Sequence, residues 1–243
     1  MNVPDDGSQL PVPSSAQILE LTVRGCHAAK ASADALLAGL KTGSEEFLDS
    51  VRKYEEELDR LDHEINDGVT TLIPRISSEV QARELLACLK FIIELERIGD
   101  LLLNVVNRFH AVSARVDSHD LGELVTMTSI VAGMIGNAGE AFIQRDVARS
   151  LVVLGDDAEL DRLRNLMIVR HVENPERQPV RESYHLVTMS QTLERAGDHA
   201  KNLAEETCHL VTGRSVRHVL REYDRSFEQG FVDKLRRTIA PKT

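Results

Sequence analysis

Apolar residues recur at helical spacing along almost the whole chain. The i, i+3, i+4, i+7 pattern predicts six long helices, over residues 16–41, 45–73, 78–113, 118–145, 147–172 and 179–212. The breaks between them are short. Ser44 suits an N-cap, and Glu45 and Glu46 then fall where the helix dipole favours negative charge. Pro74 lacks a backbone donor and ends the second helix, and Ser77-Ser78 cap the third. Asp117-Ser118 opens the fourth. Asn174-Pro175 and Pro179 bracket the loop before the sixth. Gly155 interrupts the fifth helix. Gly133, Gly136 and Gly139 each cost the fourth about 1 kcal/mol against Ala, so they are expected where another helix packs closely.

Composition narrows the picture. Fourteen Gly and seven Pro in 243 residues are too few for a turn-rich all-β fold. Aromatics make up 4% and Trp is absent, so the core must be built from Leu, Val, Ile and Ala. A net charge of −10 argues against nucleic-acid binding, which wants a basic surface. Cys26, Cys88 and Cys208 are odd in number and far apart, so they read as reduced thiols on buried helix faces. Residues 1–15 carry Asp5, Asp6 and three prolines and read as a disordered lead-in without a signal peptide. The longest uncharged stretch, Leu124 to Gly139, has 16 residues, and a spanning helix needs roughly 20. A soluble, cytoplasmic protein is the expectation. Residues 214–243 differ from the acidic body, with eight basic residues against four acids. They read as a solvated tail or a short helix docking on that body.

The chain repeats itself. Leu95-Glu96-Arg97-Ile98-Gly99-Asp100 recurs as Leu193-Glu194-Arg195-Ala196-Gly197-Asp198, identical at five of six positions and offset by 98. Asn104 and Asn202 each follow the Asp by four residues. A weaker pair, Glu55 to Asp59 against Asp157 to Asp161, shares acid-xxx-acid with Leu before the second acid, at offset 102. The fold class this predicts is all-α: a tandem pair of three-helix bundles with a pseudo-twofold internal repeat. The first would cover residues 16–116 and the second 117–213.

Residues four apart share a helix face. The third helix therefore carries a polar stripe of Glu96, Asp100 and Asn104, and the sixth a stripe of Glu194, Asp198, Asn202 and Glu205. On the second helix the stripe is Glu55, Asp59, Asp62 and Asn66. On the fifth it is Asp157 and Asp161, followed by Arg164. A lone acid-xxx-acid means little, because 39 acids in 243 residues produce about six such pairs by chance, mostly on solvated faces. Their placement on corresponding helices of a repeat is the informative part. If such helices face each other, the repulsion needs a cation, a proton or an Arg. Oxygen-rich, His-free sites suit hard cations such as magnesium, calcium, manganese or ferric iron. Gly99 and Gly197 are expected where a neighbouring helix comes close.

These motifs, Glu-Arg-Ile-Gly-Asp with its later Asn and the stretch Leu193 to Glu205, in six helices, resemble the PhoU family of phosphate-signalling regulators over about residues 16–220. The resemblance implies two tandem three-helix bundles with multinuclear metal clusters on acid-xxx-Asp motifs. Iron is the first expectation, with Mg, Mn, Zn or Ca as alternatives. Carried over, the motif falls on Glu55, Asp59, Glu96 and Asp100, and on Asp157, Asp161, Glu194 and Asp198; Asp62, Asn202 and Glu205 extend the candidate ligands. It further implies a non-enzymatic cytoplasmic negative regulator of phosphate uptake and of phosphate-starvation signalling. Its partners would be the ATPase subunit of a phosphate ABC transporter and a phosphate-sensing histidine kinase, reaching the membrane only through them; a homodimer is left open. Two departures stand out. Position 164 is Arg where the first half has Asp62, and position 107 is Asn where the second half has Glu205. Clusters smaller than the family's, or one empty cluster, would follow.

The alternatives are a plain helical scaffold or adaptor with solvated acidic stripes, and a metal-dependent phosphatase, for which no base or nucleophile is evident. A di-iron oxidase needs Glu-x-x-His on two helices, whereas Glu182/His185 and Glu206/His209 both lie on the sixth. His63, His171, His185, His199 and His209 read as surface or boundary residues, and the Met residues as core filler.

Overall fold

The computed structural model describes residues 13–173 and 180–213. Most of the expected lead-in, the Asn174-to-Pro179 loop and the basic segment from 214 onward lie outside the described residues. Among the described residues all regular structure is helical. The long helices are α1 (Ser15–Thr42), α2 (Glu45–Leu72), α3 (Glu79–His110), α4 (Ser118–Gln144), α5 (Val147–Ile168) and α6 (Val180–Thr212).

Local chemistry sets the ends of these helices. Ser14 and Gln17 form a reciprocal capping box at the start of α1. Gly43 closes α1 at φ 69°, a left-handed conformation that glycine adopts without strain. Ser44 stands at the expected N-cap of α2, but its side chain makes no capping bond. Its backbone N–H donates to the Thr42 hydroxyl instead. Pro74 lies in a 3-10 turn, Ile73–Arg75, that follows α2. Asp117 accepts hydrogen bonds from the backbone of His119 and Asp120, and Asp146 from that of Arg149, so α4 and α5 each start on an Asp cap. Two helices end earlier than their apolar pattern suggests. α3 stops at His110, and α5 stops at Ile168, beyond which Val169–Glu173 widens into a π-helical turn.

α1, α2 and α3 pack together as one three-helix unit, and α4, α5 and α6 as the other. The units meet through α1 on α4 and α3 on α6, an arrangement that repeats across a pseudo-twofold. One apolar cluster runs through both, from Leu36, Leu61 and Ile92 to Met134, Leu160 and Leu203. Phe91 and Phe142 meet at this seam with ring centroids 4.1 Å apart. α4 is long and apolar enough to cross a membrane by length and composition, contrary to the reading of its short uncharged stretch. Here it is a core helix, burying Leu124, Met127, Val131, Ile135 and Phe142 against α1, α5 and α6.

Of Gly133, Gly136 and Gly139 on α4, only Gly139 serves close packing on a neighbouring helix, while Gly136 lies under the mobile end of Lys30. A Cβ on Gly136 would lie 2.7 Å from Lys30 Cε, and one on Gly139 would lie 3.1 Å from Cys26 Cβ. Gly133 faces open space, so its expected packing role is not seen. The three thiols are buried and unbridged, as expected.

Candidate functional site

α2 and α3 come close together at Gly99. A Cβ there would lie 2.8 Å from Leu58 Cδ1 and 3.6 Å from Glu55 Cα. Leu58 is fully buried and anchors the contact. The residues flanking this anchor, Glu55 and Asp59 on α2 and Glu96 and Asp100 on α3, are thereby forced onto one shared edge. Burial first, then the charges of Asp100 and Asp59, pushes the Glu55 carboxyl above its ordinary range. Glu96 rises for the same reasons, with Asp100, Asp62 and Asp59 as its like-charged neighbours. The five carboxylates thus bear on one another's charge across the groove between α2 and α3, although no three of their oxygens lie within 4.8 Å of one another. Glu55, Asp62 and Glu96 are half-buried, while Asp59 and Asp100 reach solvent.

The cations around this cluster keep some distance. Among the described residues no Lys or Arg comes within ion-pair range of Glu55, Asp62, Glu96 or Asp100. Arg52, the nearest positive influence on Glu55, donates to Asn107 Oδ1 at 3.3 Å. Asp62 accepts a bond from the neutral amide of Asn66 at 2.9 Å. His63 lies 3.6 Å from Asp59 but binds its backbone carbonyl. Asn104, expected in the stripe, accepts from Arg108 instead. The donor type, rich in carboxylate oxygen and poor in counter-charge, suits a hard cation, but a bound ion would have to draw these oxygens closer together than they stand here.

The second unit repeats the backbone but not the charge. Gly197 again marks the close approach, with a Cβ 2.5 Å from Leu160 Cδ1. Asp157, Asp161, Glu194 and Asp198 are brought together. Glu194 is pushed up by burial and by Asp198, with Arg164 opposing. Asp198, at the rim, is pushed up by burial and Asp157, with Lys201 opposing. Arg164 Nη2 donates to Asp161 at 3.0 Å and to Glu194 at 3.3 Å, and Lys201 Nζ donates to Asp157 at 2.8 Å. This cluster does not fit a metal ion in the same way, because cations from the chain already occupy it.

Two further candidates serve other places. Asn202 donates to Glu94 Oε2 on α3 at 3.0 Å, across the seam between the units. His199 joins the same oxygen at 2.5 Å. Burial opposes ionisation of Glu94, but these two bonds outweigh it and hold its carboxyl below the ordinary range. Glu205 is half-buried on α6, where its charge bears on the Cys208 thiol.

The sequence reading missed one polar constellation. Asp120 on α4, almost fully buried, accepts from Arg170 at 2.8 Å and lies 3.2 Å from His171 Nε2. Arg170 also pairs with Glu123 and contacts His119. His171 is thus a boundary residue, as expected, whose ring is tucked into a charged network. The π-helical turn after α5 is what aims Arg170 and His171 back at α4, and nothing in residue spacing announces such a turn. His119, Asp120 and Glu123 could by proximity hold a metal ion, but the Arg170 guanidinium already satisfies them.

A family model described as the PhoU domain matches residues 24–109 and 124–207, one match in each three-helix unit. The chain belongs to the PhoU family. The PhoU homolog 1 of Thermotoga maritima, named as a phosphate-specific transport system accessory protein, is 29% identical over 191 residues. That alignment covers 76% of this chain and 82% of that protein. The PhoU homolog of Pseudomonas aeruginosa carries the same description and is 30% identical over 176 residues, covering 70% and 72% respectively. The fold is that of the crystal structure of PhoU from Pseudomonas aeruginosa, with a TM-score of 0.74 at 21% identity, over 82% of this chain and 97% of that one. PhoU from Streptococcus pneumoniae matches equally well, with a TM-score of 0.74 at 14% identity.

Proposed function

We propose that this protein is a cytoplasmic accessory regulator of a phosphate-specific transport system that works through protein contacts rather than by catalysis. Membership of the PhoU family, whose curated relatives are named as phosphate-specific transport system accessory proteins, is the observation that supports it most. Its sense is negative: with phosphate plentiful, it restrains phosphate uptake and the starvation response. The partners that fit are the transporter's ATPase subunit and a phosphate-sensing histidine kinase. The acidic edge of Glu55, Asp59, Asp62, Glu96 and Asp100, which among the described residues pairs with no Lys or Arg, favours a bound hard cation, iron first. When present, such an ion supplies a positive, oxygen-seeking centre on an otherwise acidic face. The chain's own residues hold it and set the shape of the surrounding surface.

Two measurements test this reading. Deletion of the gene should raise expression of phosphate-starvation reporters in phosphate-rich medium, and the purified protein should co-purify with the transporter ATPase or the kinase. Unchanged reporter output together with no capture of either partner would refute the regulatory role. Metal analysis of the purified chain tests the cation separately; absence of bound metal would favour an adaptor whose acidic edges are only solvated.

A further inference from the structure

We propose that the two acidic clusters have diverged into different devices: the second unit carries its own counter-ions, and metal-binding capacity resides in the first unit alone. This rests on the cation reading given above for the first cluster. The two sites share one packing feature. Gly99 against Leu58 and Gly197 against Leu160 close the α2–α3 and α5–α6 approaches in the same way. Two side-chain exchanges bring positive charge into the second site. At the repeat offset of 102, Arg164 stands where the first half has Asp62. At the offset of 98, Lys201 stands where it has Leu103. One acid is thus exchanged for a cation, and a second cation replaces an apolar residue.

Both new cations are engaged with the acids rather than with solvent. The Arg164 guanidinium bridges α5 and α6 by bonding Asp161 and Glu194 with one nitrogen, Nη2. Its buried Nε has no hydrogen-bond partner, which leaves the guanidinium held through Nη2 by these two acids. Lys201 holds Asp157. Arg164, Asp161, Glu194, Lys201 and Asp157 all lie between 17% and 27% exposed, partly withdrawn from the water that would otherwise screen them. A metal ion entering here would have to displace the guanidinium from two charge-assisted hydrogen bonds and then sit beside its positive charge. In the first unit no such displacement is needed. The coordination tie between α5 and α6 that a metal would supply is replaced by ion pairs within the chain, independent of metal supply.

The test is Mn2+ titration of the EDTA-treated full-length chain, with ions counted by electron paramagnetic resonance and thermal shift recorded in parallel. Asp59→Asn/Asp100→Asn should lose the Mn2+ response. Asp157→Asn/Asp198→Asn should keep the wild-type ion count. Arg164→Asp, which restores the first-half residue, should gain bound Mn2+ and a larger thermal shift, and Arg164→Met should gain a weaker response should the Asp variant fail to fold. A lower ion count in Asp157→Asn/Asp198→Asn overturns the proposal, as does a full ion count in Asp59→Asn/Asp100→Asn. So does an Arg164 variant indistinguishable from wild type. If the wild-type chain binds no Mn2+, the metal reading of the first cluster fails by itself. The divergence then stands if an Arg164 variant alone responds to Mn2+, and falls if it does not.

Discussion

Removing a charge from the first cluster should stabilise the metal-free protein. Glu96 is half-buried and faces Asp100 on its own helix and Asp59 and Asp62 across the groove. Like-charged pairs at such separations each destabilise by roughly 0.2–0.5 kcal/mol when solvent-screened. Three of them make Glu96→Gln about 1 kcal/mol stabilising, a Tm rise of about 2–4 °C for a chain of this size. The sign depends on pH. The carboxyl of Glu96 is raised in the folded state above its ordinary value of 4.5, so its favourable contribution is complete below that value and is lost as pH rises through the folded value. The variant should therefore exceed wild type at neutral pH and converge with it at about pH 4. Saturating Mn2+ should reverse the order. At a hundredfold excess over Kd, wild type gains about 2.7 kcal/mol, and the variant, short of one ligand, gains less. Thermal melts in EDTA and in Mn2+ at the two pH values read all four quantities. A variant less stable than wild type in EDTA at neutral pH, or an advantage undiminished at low pH, would refute the picture of uncompensated carboxylates.

The packing of the first site makes a second expectation. Gly99→Ala drives a methyl to 2.8 Å from the buried Leu58, so overpacking of about 1–3 kcal/mol should outweigh the gain in helix propensity. Chemical denaturation would show the loss, and Mn2+ affinity should fall as α2 is pushed from α3. At the seam, Glu94 is held below its ordinary value of 4.5 by His199 and Asn202. Its contribution is present above that value and fades as pH drops through the folded one, so Glu94→Gln should destabilise by about 1 kcal/mol at neutral pH and become neutral in acid. Urea melts across pH would test that. Burial pushes the Cys26 thiol up to about 12 and Cys208 up to about 11. All three thiols should resist Ellman's reagent in the native protein and react promptly in denaturant; fast native labelling would contradict their burial.

Periodicity and punctuation were enough for much of this molecule. Six amphipathic helices and their short connections follow from apolar spacing, Pro74 and the Asp117 cap, because these act within a few residues of themselves. Helix ends were legible only approximately. The π-helical turn after α5 arises where Arg170 and His171 find Asp120, a partner some fifty positions away. The repeat of Leu95 to Asp100 in Leu193 to Asp198 gave away the duplication and the candidate acids, since identity at a fixed offset needs no coordinates.

What the linear chain could not decide is which side chain meets which. That Glu55 and Asp59 share an edge with Glu96 and Asp100 depends on the rotation of α2 against α3, set by Leu58 seated on Gly99. Arg164 was visible as a departure from the repeat, yet only packing of α5 on α6 brings its guanidinium onto Asp161 and Glu194. Asn202, aligned with the acids by spacing, is drawn to Glu94 because α3 of the first unit lies beside α6. Spacing fixes the face of a helix on which a residue stands. The charge that residue finally sees is fixed by the neighbour packed against that face, and Coulomb interactions over a few ångströms make that neighbour decisive.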